Sequence, residues 1–178
     1  MTKEKDHVVE EKNKVSKHYD IDPQVFECFL DEDMNYSCAY FEKGDENLDS
    51  AQKKKMDLIA RKIDLSPGDR LLDVGCGWGN ALTYFSKNYD CEATGLTIAE
   101  NQAEAIKQKA KKEGLDEEIS VVVEHFQETT LPRRSFDKII FIGLTKVDES
   151  KTAPIPWNET KFYNKDNVSR YNSEIEKF

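Results

Sequence analysis

The chain has 178 residues, 38% hydrophobic and 34% charged, with 26 basic side chains against 35 acidic ones, and its length suits about one domain. No apolar run approaches the roughly 20 residues of a transmembrane helix, and residues 1–14 lack the apolar core and cleavage site of a signal peptide, so the cytoplasm is the expected compartment. The formal net charge of −9 repels phosphate backbones and anionic headgroups, which argues against nucleic acid and electrostatic membrane docking.

Residues 1–13 alternate charges, and Val8, Val9 and Val15 support at most a weakly anchored helix. Asp22-Pro23 reads as a helix cap with proline at the first helical position, and Val25, Phe26, Phe29 and Leu30 form the apolar face of a short helix that ends at residues 31–33. Residues 34–41, Met-Asn-Tyr-Ser-Cys-Ala-Tyr-Phe, have neither helical nor strand periodicity and are placed in a loop. Over residues 49–63, Met56, Ile59, Ala60 and Ile63 recur at helical spacing, with Lys53, Lys54 and Lys55 read as a solvated face; the lysines at 107–112 are read the same way.

Ser66-Pro67-Gly68-Asp69 is a turn into a strand at 70–74. A helix at 78–87, a strand at 92–96, a helix at 99–113 stopped by Gly114, and strands at 119–123 and 138–142 follow. Alternating strands and helices imply a doubly wound α/β sheet, parallel, with helices on both faces. After Gly143 the alternation stops; only residues 167–178 carry the pattern of another short helix. Four strands and then about 35 weakly patterned residues make the sheet look shortened at its C-terminal side. An open edge at the fourth strand would then favour self-association or a partner chain.

Cys28, Cys38, Cys76 and Cys91 contain no C-x-x-C pair and are read as reduced thiols; His7, His18 and His125 form no ligand pattern, so no metal is assigned. The chemistry concentrates in Leu71-Leu72-Asp73-Val74-Gly75-Cys76-Gly77-Trp78-Gly79. An apolar strand, an acid, and glycines at alternate positions opening a helix suit a nucleoside cofactor crossing the carboxyl edge of a parallel sheet. Gly75 and Gly77 permit close backbone approach. The spacing is G-x-G-x-G rather than G-x-G-x-x-G, and Asp73 suits a cationic ligand better than a pyrophosphate. S-adenosylmethionine, with its ammonium and sulfonium, fits that balance. A glycine turn with no ligand is the bland reading.

His18-Tyr19-Asp20, the 34–41 stretch, the glycine run, and Gly95-Leu96-Thr97 through Asn101-Gln102 together resemble the cyclopropane-fatty-acyl-phospholipid synthase family of S-adenosylmethionine-dependent methyltransferases, over roughly residues 14–143. The glycine run is common to many methyltransferases. The Tyr-Ser-Cys-Ala-Tyr-Phe stretch is specific to this family and its relatives, which include plant-type small-amine N-methyltransferases.

The resemblance implies a Rossmann-like class I methyltransferase sheet with an N-terminal helical lid, divided as lid (1–48), cofactor domain (49–143) and atypical C-terminal segment (144–178). It implies that Tyr36 and Ser37 close over the cofactor and that Asp73, Val74, Gly75, Cys76, Gly77, Trp78 and Gly79 line its amino-acid end. Thr97 and Gln102 fall at the ribose side, and Ile98 between them is counted with the cofactor-binding residues. Where family members have tryptophan and an acid against the adenine, the matching residues are Phe126 and Gln127. Cys38 matches a cysteine that helps hold a bicarbonate acting as base. Each has a plainer reading: Thr97-Ile98-Ala99-Glu100 as a capping box, Phe126 as core, Tyr36 as packing, Cys38 as a small buried residue, and His18 as structural.

After strand four, family members continue Ile-Gly, two residues, Glu-His; this chain reads Ile142-Gly143-Leu144-Thr145-Lys146-Val147, with lysine in place of the glutamate. The later groups of the family's base site and acyl pocket are not recognisable. The expectation is therefore methyl transfer to an unsaturated lipid acyl chain or a small amine; the rival expectation is a shortened, silent cofactor-binding protein that needs a partner chain.

Overall fold

A computed structural model describes residues 23–142 and, as backbone, a strand at 161–164. The elements are α1 (Pro23–Glu27), α2 (Leu48–Ile63), β1 (Arg70–Val74), α3 (Asn80–Tyr89), β2 (Glu92–Thr97), α4 (Glu100–Glu113), β3 (Ile119–Val123), β4 (Lys138–Phe141) and β5 (Lys161–Asn164). Local chemistry sets their limits. The Asn47 side chain accepts the Ser50 amide at the start of α2, at 2.9 Å, and Asp64 ends that helix in the left-handed region. Gly114 ends α4 the same way, and the Leu115 amide then returns to the Ala110 carbonyl.

The strands lie in the order β3-β2-β1-β4-β5. β1 is parallel to β2 and β4, and β2 is parallel to β3. The order reverses at β1, so a crevice is expected at the carboxyl ends of β1 and its neighbours. β5 runs antiparallel along β4, with Ile140 opposite Phe162. The expected open edge at the fourth strand is therefore corrected: ladder bonding to β5 covers it.

Strand alternation divides the core. Leu71 joins Met56, Ile59 and Ile63 of α2, Phe85 of α3 and Ile140 of β4. Its neighbours across the sheet, Ala93 and Ile119, meet Leu82 of α3 and Ile106 and Ala110 of α4. α2, α3 and α4 thus pack on one face. Leu72, Val74, Leu96 and Ile139 point to the other, which is lined by Phe126, Leu131 and Phe136 from the segment between β3 and β4. Asp73 shares the face of Leu71, two residues nearer the carboxyl edge.

Two element readings change. α1 stops at Glu27, where the Phe29 and Leu30 amides both turn back to the Phe26 carbonyl; of its expected apolar face only Phe26 is buried, while Val25 and Phe29 are exposed. α3 begins at Asn80 rather than 78, because Gly77 and Gly79 hold positive φ and cannot enter a right-handed helix. The loop at 34–41 is confirmed. Residues 1–22, including His7 and His18, and the expected helix at 167–178 lie outside the described residues.

Candidate functional site

The turn from β1 into α3 is built on glycine for two reasons. Gly75, Gly77 and Gly79 have φ of 76°, 53° and 78°, a region costly for residues with a Cβ. A Cβ on Gly79 would also stand 2.6 Å from Ile106 Cγ1, so α4 packs directly against the turn there, whereas one on Gly77 would meet nothing within 4 Å. The amides of Gly75 and Cys76 both donate to the Leu96 carbonyl, at 2.8 and 3.2 Å, which ties the turn to β2. The amides of Gly77 and Trp78 have no hydrogen-bond partner among the described residues.

Asp73 is 2% exposed. Burial pushes its carboxyl up to about 7, against the pull of the Lys55 charge, and its Oδ1 has no hydrogen-bond partner. Lys55 stands on α2 one turn before Ile59 and is 8% exposed. Its Nζ donates to Ser37 Oγ at 2.6 Å. Burial lowers the ammonium to about 8, opposed by the charges of Asp31, Cys38 and Asp73. The two groups sit on facing elements because β1 alternation points Asp73 at α2 and helical spacing turns Lys55 toward the sheet.

The loop after α1 is anchored by buried polar contacts. Asn35 donates through its backbone and side-chain amides to the two Asp31 carboxylate oxygens, at 2.7 and 2.6 Å. Its own Oδ1 accepts from Asn80 Nδ2 at 2.9 Å, joining the loop to the first residue of α3. Gln52 Nε2 donates to the Ser37 carbonyl at 2.9 Å. The Phe26 ring packs edge-on against Tyr36, centroids 5.5 Å apart, and lies 6.0 Å from Trp78. Tyr36 itself is 46% exposed.

Beyond β2, Thr97 Oγ1 donates to Gln102 Oε1 at 2.8 Å and accepts the Ala99 amide at 3.2 Å. The capping-box reading is overturned, because the helix cap is Ala99 rather than Thr97, and its methyl side chain accepts no first-turn amide. Phe126 is half-buried against the Leu72 and Val74 cluster, with the buried His125 ring 4.8 Å away. Gln127 is exposed, and its amide donates to His125 Nδ1 at 3.3 Å. Three buried polar atoms around the carboxyl ends of β1 and β2 lack partners: Asp73 Oδ1, Trp78 Nε1 and Gln102 Nε2. Buried polar groups are normally satisfied, and these three, among six such atoms in the described residues, are chemically suited to a polar ligand.

The sequence model for mycolic acid cyclopropane synthetase matches residues 6–153. The chain belongs to that family. It is 38% identical over 128 residues to the cyclopropane-fatty-acyl-phospholipid synthase of Escherichia coli, covering 72% of this chain and 31% of that protein. The S-adenosylmethionine-dependent methyltransferase UmaA of Mycobacterium tuberculosis is 41% identical over 125 residues, covering 70% of this chain and 43% of its own. Among solved structures, the mycolic acid cyclopropane synthase CmaA1 complexed with SAH and CTAB superimposes with a TM-score of 0.69 at 38% identity, over 74% of this chain and 45% of that one. The chain thus spans less than half the length of these relatives.

Within this cyclopropane synthetase scaffold, Tyr36, Ser37, Asp73 and the 75–79 turn are gathered at one end of α2 and α3, and Thr97 is joined to Gln102. Val74 and Cys76 are buried, and Ile98 is half-buried. Phe126 belongs to the opposite face of the sheet, and Cys38 is exposed. Reading Lys55 as part of a solvated face is corrected, since it lies at i+4 from Ala51 and i−4 from Ile59, both buried. That spacing was the available signal for Lys55, and equally for Gln52. Asn35 and Asn80 left no comparable trace, because their contact joins residues 45 positions apart. All four cysteines are unpaired. Among the described residues no helix is long and apolar enough to cross a membrane, and no cluster of His, Cys, Asp and Glu has metal-binding geometry. Lys146 lies outside the described residues.

Proposed function

We propose that the chain binds S-adenosylmethionine at the carboxyl edge of β1 and β2 and serves its methyl transfer to an unsaturated lipid acyl chain or a small amine. The observation that carries this reading is the set of unmatched buried atoms, Asp73 Oδ1, Trp78 Nε1 and Gln102 Nε2, beside a glycine turn whose Gly77 faces open space. These residues fit the cofactor chemically. Asp73 suits a cationic amino-acid end, Gln102 with Thr97 suits ribose hydroxyls, Ile98 lies beside them, and Phe126 and Gln127 supply the adenine side. Tyr36 and Ser37 form the lid. When bound, the cofactor supplies a methyl group activated by a sulfonium. The protein's part is to hold that end against a charged, water-poor surface and orient the acceptor.

In the same reading, residues 1–48 act as lid, 49–143 as cofactor domain and 144–178 as an atypical segment, and the chain works in the cytoplasm, which suits its unpaired thiols. Cys38 is the residue through which a bicarbonate base would be held. Cyclopropane formation needs a base within hydrogen-bond reach of the added methyl, and Lys146 replaces the family's glutamate. An amine attacks through its own lone pair and loses its proton to water, so N-methylation demands less of this chain. That substitution also favours a second reading, cofactor binding without turnover. Incubating the purified 178-residue chain with methyl-labelled S-adenosylmethionine, unsaturated phospholipid and a panel of small amines separates them. Label in amines, with little in lipid, is expected. Binding with no transfer to either establishes the second reading, and robust cyclopropane formation refutes the base-site argument.

A further inference from the structure

Lys55 is a buried charge that the methyl transfer just described does not use. An ammonium is donor-only, with three N–H groups, and its one hydrogen bond among the described residues goes to Ser37 Oγ, at 2.6 Å. Ser37 Oγ is therefore forced to accept, and its own hydrogen is left to donate elsewhere. A serine hydroxyl ordinarily plays either part; here it is fixed as a donor with a positive charge behind it, which strengthens its bond to an anionic acceptor. Further hydrogen bonds hold the loop in this arrangement. Gln52 holds the Ser37 carbonyl, and Asn35 is locked between Asp31 and Asn80.

Asp73 supplies the opposite charge. It and Lys55 feel each other's field, yet no ion pair joins them among the described residues, and Asp73 Oδ1 remains unmatched. A buried carboxylate oxygen without a partner, near a donor backed by a cation, complements a zwitterion better than it complements a simple cation. We propose that Lys55 is a positioning residue which, by fixing Ser37 as a donor, selects a cofactor carrying a free carboxylate at its amino-acid end. This rests on the S-adenosylmethionine reading above.

Calorimetry on the full chain tests it with two ligands, S-adenosylmethionine and its decarboxylated form, which keeps the ammonium and sulfonium. Lys55→Met preserves length and volume. It is expected to weaken S-adenosylmethionine by about tenfold, the scale of one charge-assisted hydrogen bond, and the decarboxylated form by less than about twofold. Ser37→Ala should show the same discrimination, and the double variant should bind no more weakly than Ser37→Ala alone. Equal losses for the two ligands, or additive losses in the double variant, overturn the proposal while leaving the cofactor reading intact. If Lys55→Met does not fold, Ser37→Ala decides: selective loss of the carboxylate ligand supports the proposal, and equal loss overturns it. An unaltered chain that binds neither ligand overturns the cofactor reading and this inference with it.

Discussion

At the scale of single residues, Asp73 carries the clearest consequence. Its carboxyl is raised from an ordinary 3.8 to about 7 by burial. A raised carboxylate contributes stability that is fully present below 3.8 and is lost as pH rises through about 7. Lys55, lowered from 10.5 to about 8, runs the other way: its contribution is present above 10.5 and lost as pH falls through about 8. Asp73→Asn is therefore expected to melt at a higher temperature than the unaltered chain at pH 8, with no such gain near pH 4. A cationic ligand needs the ionised carboxylate, so affinity for S-adenosylmethionine should fall as pH drops below about 7, by up to about tenfold per pH unit. Asp73→Asn should bind weakly and with a flat pH profile, and a flat profile in the unaltered chain would remove Asp73 from the site. Tyr36→Ala should likewise cost about 1–3 kcal/mol of cofactor affinity and Tyr40→Ala less, because the Tyr36 ring meets Phe26 beside Trp78, whereas Tyr40 is tied to α2 through its backbone amide on the Ala51 carbonyl, a bond that alanine keeps. Asp73 and the glycines are legible in the sequence because consecutive residues carry their chemistry. Lys55 is not, because a lysine among lysines signals solvent and only its phase on the helix says otherwise.

At the scale of elements, strands and helices from 70 to 141 follow from periodicity, and their ends follow from backbone chemistry that periodicity does not contain. α3 illustrates the gap. Its apolar pattern begins before the helix does, and the three left-handed glycines decide where the helix starts. Those glycines should also separate in experiment. Gly79→Ala places a Cβ 2.6 Å from Ile106 Cγ1 at a φ of 78°, so backbone strain and overpacking add, and a loss of about 2–4 kcal/mol in urea unfolding is expected. Gly77→Val carries the strain of φ at 53° with open space around it. It should lose only about 1–2 kcal/mol of stability and keep its far-UV circular dichroism, while cofactor binding falls away. Wild-type affinity in Gly77→Val would mean that the ligand does not approach this turn.

At the scale of the whole molecule, pairing between distant segments is what sequence reading misses. Nothing in the weakly patterned stretch after Gly143 marks Lys161–Asn164 as a strand, because a strand at a sheet edge is set by the partner it lies along. Here that partner is β4, with Lys138 opposite Asn164 and Phe141 opposite Lys161. β5 also runs beside α2, so it closes the sheet on the side where the helix carrying Lys55 is seated. Without it, β4 would present a row of free N–H and C=O groups beside the wholly buried Ile140, a template for a second chain. Ending the chain after Thr160 should therefore leave cofactor affinity largely intact, since Asp73, the glycine turn and Thr97 belong to β1, β2 and their connections. The same change should convert the protein into dimers and larger species in sedimentation velocity, increasingly so with concentration. A shortened chain that stays monomeric at concentrations where it still binds cofactor would show that β5 is not what protects the β4 edge.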